Sequence, residues 1–334
     1  MMQNPHVKIS IVINTFNVSE YINRTIFSVL SQLTNETELI IIDDGSTDDT
    51  VTRIKRSLPN DGNIHFIAQA NNKGISAERN QGILKATGKY ILFIDGDDYI
   101  DSNTIIKLLN IIKKNDYDIV GFNMESVPDY NSGKALSNRE KRYVSSELEV
   151  GIYTKDSLLD NLFRGELKHN PTSYLFKRQV FLSNAISFPD NINYGEDYAT
   201  IYKFFNFVEI GAVINDRFYK YVQRNSSATH KPQLKYAQDN LQVSRKILRY
   251  FKNTKYYSGA RNYVIPRLIT ALSIATKVNS SDSKILIREI ENEIKLLSKS
   301  NYDLKKYLSR DLRLKIHLNN TGLLKYIYYC KGLK

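Results

Sequence analysis

The feature that most constrains the fold is an apolar run that ends in a cluster of acids. Residues 90–94 are apolar, rich in β-branched and aromatic side chains and preceded by Gly88, and Asp95, Asp97 and Asp98 follow them. Such a run is typical of a strand buried on both faces of a parallel sheet. Because ligands of open α/β sheets bind outside the carboxyl ends of the strands, the sequence predicts a functional site at these acids.

The residue between the first two acids is Gly96, which lets the backbone turn tightly and approach a ligand closely. Carboxylate oxygens suit Mg²⁺ or Mn²⁺, since these ions keep few protein ligands and take the others from water and phosphate. Asp95 and Asp97 are therefore candidate ligands of a metal ion that carries a diphosphate. The alternative is a polar turn in which Asp98 or Ser102 caps the next helix.

Apolar runs alternate with helical patterns through the first half of the chain. This alternation predicts a mostly parallel sheet with right-handed crossovers and helices on both faces, so that several strand ends meet at one crevice. Ser19 is expected to cap the first helix, and Ser46 with Asp49 resembles a capping box for the second. The sequence predicts strands over 9–13, 39–42, 64–68, 90–94 and 118–123, and helices over 19–33, 46–56, 76–86 and 104–114.

The second half of the chain becomes increasingly helical. Polar stretches at 126–142 and 223–230 are expected to be loops at the rim of the site. The sequence predicts helices over 154–163, 178–183, 198–207, 236–251, 263–276, 283–299 and 304–318, a short strand over 173–176 and two short strands within 213–222.

The composition limits the compartment and the architecture. The 334 residues suffice for one large domain or two modest ones. One cysteine, Cys330, permits no internal disulfide and fits a reducing compartment. With no signal-peptide pattern and no apolar run of membrane-spanning length, we expect a cytoplasmic protein.

The positive charge is concentrated in the last third of the chain. Residues 231–334 hold 22 Lys and Arg against 7 Asp and Glu, a net charge of +15, and 10 of the 23 tyrosines. Residues 1–230 carry a net charge of −3. We expect a catalytic domain over 1–230 and a basic, Tyr-rich helical domain over 231–334 that docks on anionic lipid at the inner face of the membrane, binds an acidic glycan, or builds a homo-oligomer.

Five motifs occur in a characteristic order at the predicted strand ends. They are SIVINTFN from Ser10, LIIIDDGSTDDT from Leu39, NKGISAERNQG from Asn72, FIDGDD from Phe93 and YGEDY from Tyr194. With them, the first 230 residues resemble a family 2 glycosyltransferase of the GT-A (Rossmann-like) fold. The chain has no Trp, hence no QxxRW signature, and no membrane helices, so it resembles the non-processive type that builds bacterial surface glycans.

The resemblance implies a nucleotide-sugar donor, with UDP as the expected nucleotide. Asp44 would accept a hydrogen bond from the base, and the ring of Phe16 would pack on it. Asn14 stands where family members usually have Pro, and the alternative for Asp43 and Asp44 is helix capping. The residues implied in donor binding are Thr15, Phe16, Asn17, Asp44, Asn72, Arg79, Asp95, Gly96 and Arg224.

The same resemblance assigns the metal and the catalytic base. Asp97 would bind Mn²⁺ or Mg²⁺ directly, with Asp95 on the ribose or on a metal-bound water, and His230 is a candidate third ligand. Glu196 and Asp197 match the family's ED pair, whose Asp takes the proton of the acceptor hydroxyl in inverting members. The alternatives are that Glu196 and Asp197 cap the following helix, and that Arg79 pairs with Asp95 and fixes its loop.

The expected function is therefore metal-dependent, inverting transfer of a sugar to a hydroxyl of a glycan, polymer or glycoprotein. Two other classes stay open at this point. A nucleotidyltransferase that makes nucleotide sugars would share the sheet and the acids, although the chain has NTFN where such enzymes carry a Gly-rich phosphate loop. A basic nucleic-acid-binding protein is permitted by the charge, but no nucleic-acid module is recognisable, so no nucleic-acid partner is expected.

Overall fold

The computed structural model describes residues 7–130, 149–224, 233–278, 280–299 and 309–332. The strands are β1 (Ile9–Thr15), β2 (Thr37–Asp43), β3 (Ile64–Ala68), β4 (Tyr90–Asp95), β5 (Tyr99–Ile100), β6 (Ile119–Pro128), β7 (Gly151–Tyr153), β8 (Tyr174–Lys177) and β9 (Gly211–Gln223). The helices are α1 (Ile22–Leu30), α2 (Thr50–Ser57), α3 (Ile75–Lys85), α4 (Thr104–Lys114), α5 (Lys155–Arg164), α6 (Arg178–Ser183), α7 (Tyr198–Phe205), α8 (Leu234–Phe251), α9 (Tyr257–Val278), α10 (Ser281–Ser298), α11 (Arg310–Asn320) and α12 (Leu324–Gly332).

The chain forms two compact units. The first consists of Met1–Lys155, His169–Asp190 and Thr200–Asn225, and the second of Asp156–Lys168, Asn191–Ala199 and Ser226–Lys334. Two short segments of the second unit therefore come from the region that we assigned to the catalytic domain.

The described strands of the first unit form one mixed sheet in the order β3-β2-β1-β4-β8-β6-β9-β5, with β7 paired to β9. The β3-β2-β1-β4 half is parallel throughout, as the alternation of strands and helices predicts. Beyond β4, the strand β8 pairs antiparallel with both β4 and β6, which makes the other half mixed. The parallel register places Asn14 of β1 opposite Asp95 of β4 and Thr15 opposite Asp43 of β2, so three polar strand ends lie side by side.

Helices pack on both faces of this sheet, as predicted for an α/β fold. On one face, Ile11 and Ile13 belong to a buried cluster with residues of α1, α2 and α4. On the other face, Val12 lies so close to Gly82 of α3 that a Cβ there would come within 2.5 Å of its side chain. Successive residues of β1 thus enter opposite cores, which explains why the strand is apolar at nearly every position.

Several predicted helix ends are wrong because the polar side chains find other partners. α1 begins at Ile22, and Ser19 does not cap it. α2 has no side-chain cap, so the capping box of Ser46 and Asp49 is absent. The residue before α4 is Asn103, which has a positive φ. No side chain caps this helix, so the predicted caps Asp98 and Ser102 are wrong.

The C-terminal part differs from prediction in two further elements. β9 is one thirteen-residue strand where the sequence predicts two short ones. A bulge opposite residues 121–124 of β6 lets it stay paired along its length. The helix α12 has no counterpart among the predicted helices.

The second unit consists mainly of α8 to α12 with two inserted segments. The ring of Phe163, from the segment 156–168, lies 5.3 Å from Phe251 of α8 and 5.6 Å from Tyr263 of α9. Gly259 of α9 leaves room for that ring, since a Cβ there would lie 2.4 Å from it. In the part of the chain that is described, no helix is both long and apolar enough to span a bilayer.

Candidate functional site

The loops after β1 and β2 are bonded to each other at the carboxyl end of the sheet. Thr15 donates its hydroxyl to Asp43 at 3.2 Å, and Asp43 also accepts the backbone N–H of Ser46 at 2.9 Å. Asn17, held at a positive φ, donates its N–H to the Ser46 hydroxyl and accepts the N–H of Thr47 at 2.8 Å. These bonds fix the shape of both loops before any ligand arrives. The ring of Phe16 remains 42% exposed there, an aromatic face that is accessible at a strand end.

Asp44 is buried and bonds the next loop rather than α2. Its two carboxylate oxygens accept the backbone N–H groups of Lys73 and Gly74 at 2.7 and 2.6 Å. Asn72, adjacent in this loop, is exposed. The helix-capping alternative is thus wrong for Asp44, and for Asp43 as well, because both carboxylates are bonded elsewhere.

α3 presents a charged pair to the ends of β1 and β4. The buried carboxylate of Glu78 accepts the N–H of Thr15 at 2.8 Å, and burial raises the pKa of Glu78 well above its ordinary value. The guanidinium of Arg79 lies 3.4 Å from a carboxylate oxygen of Asp95 and 5.3 Å from the centre of the Phe188 ring. Arg79 therefore pairs with Asp95, as one of the two alternatives predicts.

The turn after β4 accepts no side chain at its centre. A Cβ on Gly96 would lie 2.8 Å from the Thr15 methyl group and 2.9 Å from the carbonyl oxygen of Asn14. The N–H of Gly96 donates to that same carbonyl at 2.8 Å. Close packing, with no special φ, is what requires glycine between the two acids.

Asp97 is paired with a cation from the end of β9. Its carboxylate forms an ion pair with the guanidinium of Arg224, and the two side chains are 17% and 20% exposed. Burial raises the pKa of Asp97, while the nearby guanidinium opposes that rise. Each of the two acids that flank Gly96 thus contacts its own arginine.

Asp98, which the sequence suggested as a helix cap, is buried and bonds two residues of β9. Its carboxylate accepts the hydroxyl of Tyr219 at 2.7 Å and the N–H of Val222 at 2.8 Å. The Tyr219 oxygen in turn accepts the N–H of Asp95 at 3.1 Å. Burial raises the pKa of both Asp98 and Tyr219, and their hydrogen bonds join the turn after β4 to β9.

Asn14 carries buried polar atoms that the described protein does not satisfy. The residue is 4% exposed, and neither the oxygen nor the nitrogen of its amide has a hydrogen-bond partner among the described residues. It lies beside Asp95 in the sheet register. Because native proteins pair nearly all buried polar groups, this amide points to a partner that the bound state supplies.

The ED pair belongs to the second unit. Glu196 and Asp197 are half-buried in the segment 191–199, and Asp197 accepts the N–H of Tyr198, the first residue of α7, at 2.6 Å. This contact is with the N–H of the first residue of α7, not the bond to the second or third N–H of the helix that an N-cap side chain makes. His230, the candidate third metal ligand, lies outside the described residues.

The donor set at the end of β4 fits a divalent cation that also binds a substrate. Within the described ranges, no group of three or more His, Cys, Asp or Glu side chains is arranged to hold a metal. Asp95 and Asp97 alone would be too few for a closed protein cage. They suit Mg²⁺ or Mn²⁺, which take several ligands from phosphate and water.

Sequence reasoning missed Glu78, Tyr219 and the structural role of Asp98. Tyr219 and Asp98 are separated by 121 residues and meet only because β9 and β5 pair, so no local pattern connects them. Glu78 lies inside the NKGISAERNQG motif, and its position directly before Arg79 on a weakly amphipathic helix was the available signal.

Known proteins match both the sequence and the fold. The model of the family "Glycosyl transferase family 2" matches residues 10–181, more than half of the chain. The glycosyltransferase EpsJ of Bacillus subtilis, itself uncharacterised, is 29% identical over 299 residues, covering 84% of this chain and 83% of its own length. Glycosyltransferase GlyG of Streptococcus pneumoniae is 27% identical, covering 72% of this chain and 79% of that protein.

A solved structure agrees over nearly the whole chain. The crystal structure of S. aureus TarS 1–349 in complex with UDP-GlcNAc has a TM-score of 0.70 at 20% identity and covers 98% of this chain and 90% of that one. The likeness supports the GT-A fold that the sequence motifs imply. By its family match, this chain belongs to the family 2 glycosyltransferases.

Proposed function

We propose that the protein transfers a sugar from a UDP-sugar to a hydroxyl group of a glycan, polymer or glycoprotein in cell-surface glycan synthesis, with inversion at the anomeric carbon. The observation that carries this proposal is the pair of acids flanking Gly96, each in contact with an arginine, at the end of β4. Family membership favours a transferase over the nucleotidyltransferase and the nucleic-acid-binding protein. The TarS complex supports UDP as the nucleotide.

The nucleoside is assigned to the loops after β1 and β2. The exposed ring of Phe16 offers a face on which a base can stack. Thr15 and Asn17 are its neighbours in the chain, and we assign Asn72, which is exposed in the loop after β3, to the donor as well. Asp44 already accepts two backbone N–H groups, but a carboxylate has lone pairs for a third donor. We assign the unpaired amide of Asn14 to the bound donor as well.

Asp97 and Asp95 would hold Mn²⁺ or Mg²⁺, which supplies Lewis-acid neutralisation of the charge on the departing diphosphate. The protein's own contribution is a pair of guanidinium groups. Arg224, which pairs with Asp97 here, would pair with a phosphate oxygen of the donor if Asp97 held the metal, and its planar fork is suited to that contact. Arg79 stays on Asp95 and keeps that carboxylate oriented.

Asp197 is proposed as the base that removes the proton from the acceptor hydroxyl while the diphosphate departs. An aspartate is normally ionised at neutral pH, so it needs correct placement more than a shifted pKa. Direct attack by the activated hydroxyl inverts the configuration at the anomeric carbon. Glu196 is its neighbour in the pair and is assigned a supporting role.

The basic region 231–334 is proposed to bring the enzyme to its acceptor, either at an anionic membrane surface on the cytoplasmic side or on an acidic glycan. Its excess of Lys and Arg supports an anionic partner. A homo-oligomer through these helices would leave the charge unexplained. Binding to vesicles with and without anionic lipid distinguishes these possibilities.

The test uses three probes: UDP-GlcNAc, UDP-glucose and UDP-galactose, each with and without Mn²⁺. The wild type should release UDP slowly from at least one of them, and EDTA should stop the release. Asp97→Asn should lose metal-dependent donor binding in calorimetry. Asp197→Asn should bind the donor normally and lose UDP release, because water then lacks its base.

The matched control is Asp216→Asn, which breaks a surface ion pair with Lys107 and should change neither property. The assignment of roles would be wrong if Asp97→Asn kept metal-dependent binding, or if Asp197→Asn hydrolysed the donor at the wild-type rate.

A further inference from the structure

The segment that carries Glu196 and Asp197 is held by two buried charged side chains of the C-terminal helices. All of these groups lie in the second unit, within the segment Asn191–Ala199 and the helices α8 and α9. No pattern in the sequence connects the basic C-terminal region with the YGEDY motif.

The first of these side chains is Asp239 of α8, which is fully buried. One of its oxygens accepts the backbone N–H groups of Asn193 and Tyr194 at 2.9 and 3.2 Å. The other accepts the ammonium of Lys235, one helical turn earlier, at 2.6 Å. Hydrogen bonds to a buried carboxylate are strong, so they fix the backbone just before the ED pair.

An aromatic contact strengthens the same attachment. The ring of Tyr194 stacks on Tyr236 of α8, with centroids 5.0 Å apart and an interplanar angle of 24°. Tyr194 is thus bound to α8 by both its backbone and its side chain. The start of the YGEDY motif has little freedom to move against that helix.

The second charged side chain is Arg267 of α9, which is 5% exposed. Its guanidinium lies 3.8 Å from the centre of the Tyr198 ring and donates to the carbonyl of Tyr194 at 3.4 Å. It therefore contacts residues on both sides of the ED pair. Its Nε has no hydrogen-bond partner among the described residues, so the contacts that place this cation are made by a terminal nitrogen and its planar face.

Gly195 is fitted to this guanidinium. Its φ is +89°, a conformation that L side chains rarely adopt, and a Cβ there would lie only 1.6 Å from a terminal nitrogen of Arg267. The glycine of the motif is thus explained by the close approach of Arg267 as well as by its backbone conformation. Any other residue would displace either the cation or the turn that presents Asp197.

We propose that Asp239 and Arg267 are positioning residues that set the orientation of the Asp197 carboxylate. This inference rests on the proposed role of Asp197 as the base. Under this proposal, α8 and α9 affect the rate of transfer through the position of Asp197. Neither Asp239 nor Arg267 touches the reacting groups. Misplacement of a catalytic group by about 1 Å can lower the rate roughly 100-fold, so loss of either residue should reduce kcat far more than donor affinity.

The experiment compares Asp239→Asn, Arg267→Met and Arg267→Lys by hydrolysis of the best UDP-sugar of the panel, with the active fraction counted by calorimetric titration with UDP and Mn²⁺. We expect kcat per binding site to fall about 10- to 100-fold in Asp239→Asn and Arg267→Met, with the UDP dissociation constant changed less than about twofold. Arg267→Lys keeps the charge but loses the planar fork, so its kcat should lie between wild type and Arg267→Met.

The control is Arg245→Met, since Arg245 lies on α8 and pairs with Glu289 and Glu293 of α10, away from the motif. It should lower the unfolding temperature and leave kcat per binding site unchanged. If Asp239→Asn fails to fold, the Lys and Met variants of Arg267 decide. Amide hydrogen exchange is compared between the wild type and the variants Asp239→Asn and Arg267→Met. Faster exchange at residues 193–197 in these variants, with unchanged exchange in α9, supports the positioning role.

The inference would be overturned if both Asp239→Asn and Arg267→Met kept the wild-type kcat per binding site. It would also be overturned if Arg245→Met lost as much kcat per binding site as those two variants. The variant Asp197→Asn separates this inference from its premise. If it keeps the wild-type rate, the proposed base is wrong. If it is inactive while the positioning variants are fully active, only the positioning role fails.

Discussion

Arg224 forms an ion pair with Asp97, the acid that the proposed mechanism assigns to the metal. The guanidinium therefore occupies the carboxylate that a divalent cation would bind. In the proposed mechanism, a metal ion and this guanidinium would compete for the Asp97 carboxylate.

We expect Arg224→Gln to bind Mn²⁺ more tightly than the wild type when no donor is present, because the competing cation is gone. Turnover of the donor should nevertheless fall roughly tenfold or more, since a charged partner of the diphosphate is lost. Calorimetric titration with Mn²⁺ and steady-state hydrolysis measure the two effects. The control Arg53→Gln changes an arginine of α2. Weaker Mn²⁺ binding in Arg224→Gln would show that Arg224 organises Asp97 instead of competing for it.

Asn14→Ala should change stability and donor binding unequally. Since both polar atoms of the Asn14 amide are buried and have no partner within the described ranges, its removal should leave the free energy of unfolding within about 1 kcal/mol of wild type. The dissociation constant for UDP should rise severalfold. Urea unfolding and calorimetry provide the two measurements.

The comparison for Asn14 is Asn123→Ala. Asn123 is equally buried, but its amide donates to Asn215 at 2.9 Å, so its loss should cost about 1–3 kcal/mol without changing UDP binding. Equal destabilisation by the two substitutions would show that Asn14 has a partner in the free protein.

Tyr219→Phe should destabilise the first unit by about 1–3 kcal/mol, because the buried carboxylate of Asp98 and the N–H of Asp95 both lose their partner. It should also weaken donor binding, since both acids belong to the loop after β4. Tyr130→Phe is the control, as its hydroxyl donates to the carbonyl of Glu20 at an exposed position. A Tyr219 variant as stable as this control would contradict the structural role of the hydroxyl.

Glu78→Gln should gain stability relative to wild type as the pH rises. The folded protein holds the proton of Glu78 more tightly than the unfolded chain, whose carboxyl titrates near 4.5, so wild-type stability declines as the pH rises above 4.5 toward the raised pKa. Glutamine cannot lose that proton. The difference in unfolding temperature between variant and wild type should therefore be larger at pH 8 than at pH 5, by about 2 °C or more.

Glu209→Gln, at an exposed position of the same unit, serves as the control and should show no such trend. A difference for Glu78→Gln that stays constant from pH 5 to pH 8 would argue against a raised pKa.

The sequence predicted those parts of the fold that depend on local periodicity. The helices α4 and α6 and the strand β3 have the predicted bounds, and the first four strands are parallel as expected. Polar partners could not be predicted in the same way. Ser46 bonds Asp43 within the turn after β2 instead of capping α2, and Asp98 bonds Tyr219 of a strand far along the chain, so each polar side chain has a partner other than a helix end.

In the candidate site, too, residues within sequence motifs could be predicted and residues that act through long-range contacts could not. Asp95 and Asp97 were predicted from their position at a strand end, and Arg79 from the resemblance to the family. The structure places all three among charged partners. Asp239 and Arg267 could not be predicted from the sequence. In a helical segment, a charged residue that bonds a distant backbone segment cannot be distinguished from a charged residue that faces solvent. Their role follows only from the contacts.

The hydrogen bond from Val222 to Asp98 links two parts of the chain that are far apart in sequence. Arg224 follows Val222 by two positions, so the end of β9 is attached to the acidic turn at two points, by a buried hydrogen bond to Asp98 and by an ion pair with Asp97. If Asp97 binds a cation as proposed, the ion pair would be given up while the hydrogen bond to Asp98 keeps β9 fastened to the acidic turn.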